Sequence, residues 1–280
     1  TLIGQENRGL EYMFIMMNAA RYGVGLQGIA IADRAYQKAV AYAKDRVQSR
    51  PVDGSVAGSA AIIHHPDVRR MLMTMRALTE GCRAMASTAA AAFDAAHYHP
   101  DADARKQNQA FYDFMVPLVK GYSTEMSLEV TSLGVQVHGG MGFIEETGAA
   151  QYYRDAKILT IYEGTTAIQA NDLVGRKTTR DGGQLARGIA GQIEVTEGEL
   201  AKRDSAAAKS VLKALRASRE DFLAAVDFIA GQGKANPNAG TSSSPLMVSN
   251  HQYYVKLPSP YDASKPYPVA EAGQSYKYAV

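Results

Sequence analysis

The sequence holds a single cysteine, Cys82. That excludes an intrachain disulfide and a metal site built from several thiolates, and it is compatible with a reducing compartment. No run of about eighteen uncharged apolar residues occurs, so no segment reads as a transmembrane helix. Charge of one sign is also missing: 30 Lys and Arg face 28 Asp and Glu, a formal net charge of +2. That balance gives no case for nucleic acid or an anionic membrane as partner. Proline is scarce where it matters. Of 10 prolines only Pro51, Pro66, Pro100 and Pro117 precede residue 236, and Pro237, Pro245, Pro258, Pro260, Pro266 and Pro268 crowd the end. Proline removes a backbone donor, so the first 235 residues can be helical and the tail cannot. What remains is 280 residues, 46% apolar and 21% charged. That is a globular composition with material for one large domain or two ordinary ones. The chain opens Thr1-Leu2-Ile3-Gly4, with no Met and no charged-then-apolar leader, as expected of a processed chain or a piece of a longer one.

Periodicity predicts an all-α fold. From Gly9 to Arg46, Leu10, Phe14, Met17, Val24, Ile31, Ala35, Ala39 and Tyr42 recur at three-, four- and seven-residue spacings, one face of a helix. Gly23, Gly25 and Gly28 within it weaken local propensity and suit close approach of a neighbour. Gln48–Ala60 reads as a loop. Pro66 opens a second helix to about Ala96, with proline at a tolerated first-turn position. His99-Pro100-Asp101 is a connector, and Pro117 is expected to open a third helix reaching Val137. Gly139, Gly140, Gly142 and Gly148 mark a loop. Helices are then expected at Ala149–Ala156, Thr165–Lys177, Gln184–Lys202 and Ser205–Gln232. No βαβ alternation and no repeat is visible, so the expectation is an antiparallel four-helix bundle with additional C-terminal helices and an irregular Pro/Tyr-rich tail.

Glu163 is the carboxylate with the most suggestive surroundings. It stands between Ile161-Tyr162 and Gly164, just before a helix that starts Thr165-Thr166. Apolar neighbours can desolvate a carboxylate toward the strength of a working base. Gly164 would let a ligand approach the backbone, and free helix-start amides with threonine hydroxyls can hold anionic or carbonyl oxygens. The spacing alone equally suits a Glu163 that only supports the first helical turn. In Gln136-Val137-His138-Gly139-Gly140, paired glycines at a helix end can expose amides to a phosphate, or simply cap the helix.

Together these segments resemble the acyl-CoA dehydrogenase family. The resemblance lies in Arg154-Asp155-Ala156-Lys157 followed by Ile161-Tyr162-Glu163-Gly164-Thr165, in Gln136-x-x-Gly139-Gly140, and in Leu2-Ile3-Gly4-Gln5-Glu6-Asn7-x-Gly9. It covers residues 1–180, the family's C-terminal helical domain; 181–234 resembles the helical extension of longer bacterial members. The resemblance implies an FAD-dependent oxidoreductase that converts an acyl-CoA thioester to the trans-2-enoyl-CoA. A base takes the α-proton while the β-hydrogen leaves as hydride to the flavin. It implies Glu163 as that base, Asn18, Arg21 and Gly164 near the substrate, and Arg46, His65, Gln136, Gly139, Gly140, Thr165, Thr166 and Ala167 near the flavin. It further implies a homodimer or homotetramer sharing flavin sites across subunits, and an electron-transfer acceptor. Cytoplasmic residence is expected from the bacterial-like extension and the single cysteine.

The family's preceding helical and β-domains are not in this sequence, so the chain looks like a C-terminal part of a longer enzyme. The alternative function is a structural or oligomer-forming bundle without independent catalysis. The match weakens at Val47-Gln48-Ser49-Arg50 and at Pro66, where the family has other residue types. His97 and His99 are two ligands, which make no metal site, and the methionines read as core filler. In the tail, Tyr253–Asp262 and Lys265–Pro268 resemble the opening strands of an α/β-hydrolase esterase. No Gly-x-Ser-x-Gly elbow supports that activity.

Overall fold

The structure is a computed structural model that describes residues 2–235, with side chains described through residue 231. Three long helices dominate: α1 (Gly9–Asp45), α2 (Pro66–Tyr98) and α3 (Ala102–His138). A short α4 (Gly140–Phe143) and a 3-10 turn (Glu145–Thr147) lead into α5 (Ala149–Leu159). Next come α6 (Thr166–Asn171), a π-helical segment (Asp172–Thr179), α7 (Gln184–Ala201) and α8 (Ala206–Ala235). Among the described residues there is no β-strand; one antiparallel bridge, Val47 to Ala61, pins the long loop between α1 and α2.

Side-chain pairings fix the helix directions. Asn18 meets Asp113, Gly25 meets Val119, Gly28 meets Ser123 and Tyr42 stacks on His138, so α1 and α3 run parallel. Tyr22 reaches Ala86 while Asp33 reaches Arg83, so α2 runs the other way. Arg34 lies over Tyr152 and Lys38 lies beside Gly148, so α5 also opposes α1. The result is an up-down-up-down bundle whose fourth helix is short.

The core is built from small residues. Ala32, Ala35, Ala39 and Ala43 of α1 and Ala86, Ala89 and Ala92 of α2 are buried beside Met75, Val116, Val119 and Val130. A buried methyl contributes only about 0.8 kcal/mol, but small side chains let the helix backbones approach. The approach is closest where α1 crosses α3. A methyl built on Gly25 would stand 2.6 Å from the Val119 carbonyl oxygen, and one on Gly28 2.8 Å from that of Ser123. The expected close neighbour is therefore α3; Gly23 has open space around it and takes no part. The facing stripe of α3 is polar and partly self-satisfied: the hydroxyls of Thr124 and Thr131 donate to the carbonyls of Lys120 and Ser127, one turn earlier, while the buried Ser123 hydroxyl has no hydrogen-bond partner among the described residues.

Three expectations need correction. Pro117 does not open the third helix; α3 begins at Ala102 and Pro117 lies buried inside it. The start is set by Asp101, whose carboxylate accepts from the amides of Asp103 and Ala104 at 3.2 Å. The apolar face Tyr112, Val116, Val119 carries the helix through the proline, so packing outweighs the lost backbone bond. Second, the expected helix Thr165–Lys177 widens midway into the π-helical segment. There the hydroxyls of Thr178 and Thr179 donate to the carbonyls of Leu173 and Val174, both at 2.8 Å and five residues back. Third, the glycine-rich stretch after His138 is not all loop, because it includes α4 and the 3-10 turn.

The hairpin α7–α8 packs on the π-helical segment, where Leu173, Ala186, Val226 and Phe114 form a second small core. Glu197 of α7, almost fully buried, is held by Arg219 of α8 at 2.7 Å. The irregular tail expected over 235–280 begins instead after Ala235, the last residue of α8, and the rest of it, with the esterase-like strands, lies outside the described residues.

Candidate active site

The turn between α5 and α6 carries Glu163 and Gly164, both left-handed, at φ 54° and 86°. For a non-glycine residue this costs about 1–2 kcal/mol, and it persists only where the surroundings hold it. The restraints are visible. Thr160 ends α5, and its carbonyl accepts the Thr166 amide across the turn. Thr165 caps α6, its hydroxyl accepting from the Ile168 amide at 3.4 Å. The buried carboxamide of Gln169 donates to the carbonyls of Glu163 at 3.4 Å and Gly164 at 3.2 Å. Tyr162 donates to the Gln27 side chain on α1.

Glu163 is half-buried. Among the described residues its carboxylate has no hydrogen-bond or ion-pair partner. Ile161, expected to help desolvate it, is itself 49% exposed. Thr166 is buried and its hydroxyl proton is committed to Glu125 on α3 at 2.5 Å; Thr165 and Ala167 are exposed.

Two groups that sequence reading did not single out complete the neighbourhood. Lys120 of α3 is fully buried, and its ammonium donates to the Gly164 carbonyl at 2.6 Å. Burial, the largest influence, pushes its pKa down to about 8 against the pull of Glu125 and Glu163. Asp172 of the π-helical segment is buried and binds Arg21 at 3.1 Å and Arg176 at 2.7 Å. Lys120 could have been found as a lysine in the buried heptad stripe Val116, Lys120, Ser123, Ser127.

The other named residues fall into two places. Arg21 is buried in its pair with Asp172, so it is not a helix-surface arginine. Asn18, a turn earlier on α1, donates to Asp113 at 3.2 Å. These lie on the part of α1 nearest the turn. Arg46, His65, Gln136, Gly139 and Gly140 gather at the opposite end of the bundle. Arg46 closes α1 and its carbonyl accepts the Ile62 amide; the ring Nε2 of His65 bonds the Gln48 carbonyl at 2.7 Å. His138 stacks on Tyr42 and so brings Gln136–Gly140 beside that end. Along α1, Arg21 and Arg46 are about 37 Å apart at the α-helical rise.

The far cluster offers donors to a phosphate-bearing group. The side chains of Arg46 and Gln136 are exposed, and Gly139 sits at φ 61°, ψ −140°, where a side chain is disfavoured. No atom would meet a methyl on Gly139 or Gly140, so the backbone there lies open to approach. Among the described residues no helix is long and apolar enough to cross a membrane.

The chain is 58% identical over 243 residues to 3-methylmercaptopropionyl-CoA dehydrogenase of Ruegeria pomeroyi, covering 87% of this chain and 41% of that protein. It is 40% identical over 201 residues to the broad-specificity linear acyl-CoA dehydrogenase FadE5 of Mycobacterium tuberculosis, covering 69% of this chain and 32% of that one. The chain thus spans less than half the length of these relatives. The fold is shared with Caenorhabditis elegans ACDH-11, solved with C11-CoA, at TM-score 0.57 and 18% identity over 91% of this chain and 46% of that one. The family described as acyl-CoA dehydrogenase, C-terminal domain, matches residues 7–177, and the chain belongs to it.

Proposed function

We propose that the chain is the base-bearing part of an FAD-dependent acyl-CoA dehydrogenase that converts an acyl-CoA thioester to its trans-2-enoyl-CoA. The observation that carries the reading is Glu163: an unpartnered carboxylate on a left-handed turn held from three sides. A thioester α-proton is too weakly acidic for a carboxylate in water, so the base has to be fixed in place and sheltered when substrate fills the cleft. Glu163 takes the α-proton onto a carboxylate oxygen; the side-chain position of Gly164 is filled by Gln169 and Ile168, so Gly164 would meet the thioester through its backbone. FAD, when bound, supplies the oxidising power by accepting the β-hydrogen as hydride. Thr165 and Ala167, exposed at the start of α6, would face the flavin of the same subunit. Thr166 has both its amide and its hydroxyl proton taken, so it would offer the flavin only the hydroxyl oxygen as an acceptor.

Arg46, His65, Gln136, Gly139 and Gly140 would hold the dinucleotide part of a neighbouring subunit's FAD. The α5–α6 turn meets α1 at Gln27, several turns from Arg46, so the two sets of flavin-facing residues stand apart on one chain, which favours sites shared between copies of the chain. Electrons would pass on to a separate acceptor protein. The similarity to the Ruegeria enzyme makes 3-methylmercaptopropionyl-CoA the first substrate to try.

The test uses the protein purified as its cell makes it, with all of its chain. Glu163→Gln is nearly isosteric and cannot accept the proton. Flavin content should stay unchanged, while release of deuterium from C2 of the acyl-CoA and bleaching of the flavin band both cease. Unchanged turnover in that variant would end the assignment.

A further inference from the structure

Lys120 is the largest fully buried side chain of the described residues, and it is a cation. Its ammonium makes a short, charge-assisted bond to the carbonyl of Gly164, the residue after Glu163. Burial of an ammonium is costly, and a methionine of similar length would fill the space at less cost. A helix needing only packing at this position would do better without the charge. The charged groups that face Lys120 are Arg21 from α1, Glu125 from α3 and Glu163 from the turn. Arg21 is neutralised by Asp172, and Glu125 accepts the Thr166 hydroxyl. The cation therefore has no full ion-pair partner of its own, and its hydrogen bond runs to the backbone of the turn.

Resting on the assignment of Glu163 as base, we propose that Lys120 is a positioning residue for the reaction: its buried ammonium grips the Gly164 carbonyl and so fixes the left-handed turn that aims the Glu163 carboxylate. Three features agree. The turn is strained at Glu163 and needs an external hold. Gln169, the other donor to this carbonyl, makes a longer bond to it of 3.2 Å, and one of 3.4 Å to the Glu163 carbonyl. Lys120 comes from α3, whose position is locked by the close crossing with α1 one residue earlier, at Val119. The hold weakens when the ammonium loses its proton, because a neutral amine donates a weaker bond. With its pKa lowered to about 8, that loss falls inside the accessible pH range.

The experiment measures deuterium release from C2-deuterated acyl-CoA against pH, in the holoprotein, for the unaltered protein, Lys120→Met and Glu163→Gln. The unaltered protein should slow as pH rises through about 8. Lys120→Met should keep its flavin and its substrate affinity, run slower by about tenfold or more near neutrality, and lose the alkaline fall. A Lys120→Met protein with full rate and the same alkaline fall overturns the proposal while leaving Glu163 as base. Full release from Glu163→Gln overturns the base assignment instead. Should Lys120→Met fail to fold, Glu125→Gln decides. It keeps an acceptor for Thr166 and removes the charge that supports the ammonium, so the alkaline fall should move to lower pH. An unmoved fall overturns the proposal.

Discussion

Replacing Gly25 by alanine should destabilise the bundle although it improves the helix. In an exposed helix Gly→Ala gains about 1 kcal/mol. Here the new methyl would stand 2.6 Å from the Val119 carbonyl oxygen, 2.7 Å from its Cγ1 and 2.8 Å from its carbonyl carbon. Ordinary contact needs about 3.4 Å or more, and two of those three atoms are backbone, so no side-chain rotation relieves them. Overpacking of a core costs about 1–3 kcal/mol, and a backbone-limited clash belongs at the upper end. Subtracting the propensity gain leaves a net loss of about 2 kcal/mol. Gly23, two residues earlier, supplies the control. It has nothing within 4 Å of an added methyl, so Gly23→Ala should stabilise by about 0.5–1 kcal/mol. Urea unfolding of the 280-residue chain, followed by far-ultraviolet circular dichroism, reads both. The midpoints should move in opposite directions. A Gly25→Ala chain as stable as Gly23→Ala would refute the claim that α1 and α3 touch through backbone at this crossing.

Two further perturbations follow from buried charge. Asp172→Asn keeps the shape but leaves Arg21, 5% exposed, without its anion, and should cost about 3–5 kcal/mol in the same urea experiment; a loss below about 1 would mean that Arg21 finds water. His138 is held below its ordinary value of 6.5, chiefly by burial, so the unfolded chain takes up its proton first on acidification. Stability should therefore fall as pH drops below about 6.5, and His138→Gln should flatten that part of the profile; an unchanged slope would count against a buried neutral ring.

The helices were largely legible, because their apolar faces recur with helical period over three or more turns. Gly25 and Gly28 were readable as contact residues, but which glycines touch and what they touch depends on the rotation of α1 against α3, which no local pattern encodes. Pro117 misleads because proline suits the first turn of a helix, while Asp101 has already started α3 and the apolar face runs on through the proline. The local segment Glu163–Ala167 could be singled out because it is contiguous. Lys120 stood out only as a lysine in a buried stripe of α3, with nothing local to tie it to the turn, and Gln169 and Asp172 carried no signal, since their partners lie on the turn and on α1. Their role exists only once two chain segments 44 residues apart, Lys120 and Gly164, are brought to hydrogen-bond distance.

A π-helical stretch is what an α-helix becomes when it accommodates one residue too many. In Asp172–Thr179 that widening sets the rotation of everything downstream, including the face on which Leu173 meets Ala186 and Val226 of the α7–α8 hairpin. Excising one residue there would turn the downstream chain by about 100° about the helix axis, carrying the hairpin away from its seat.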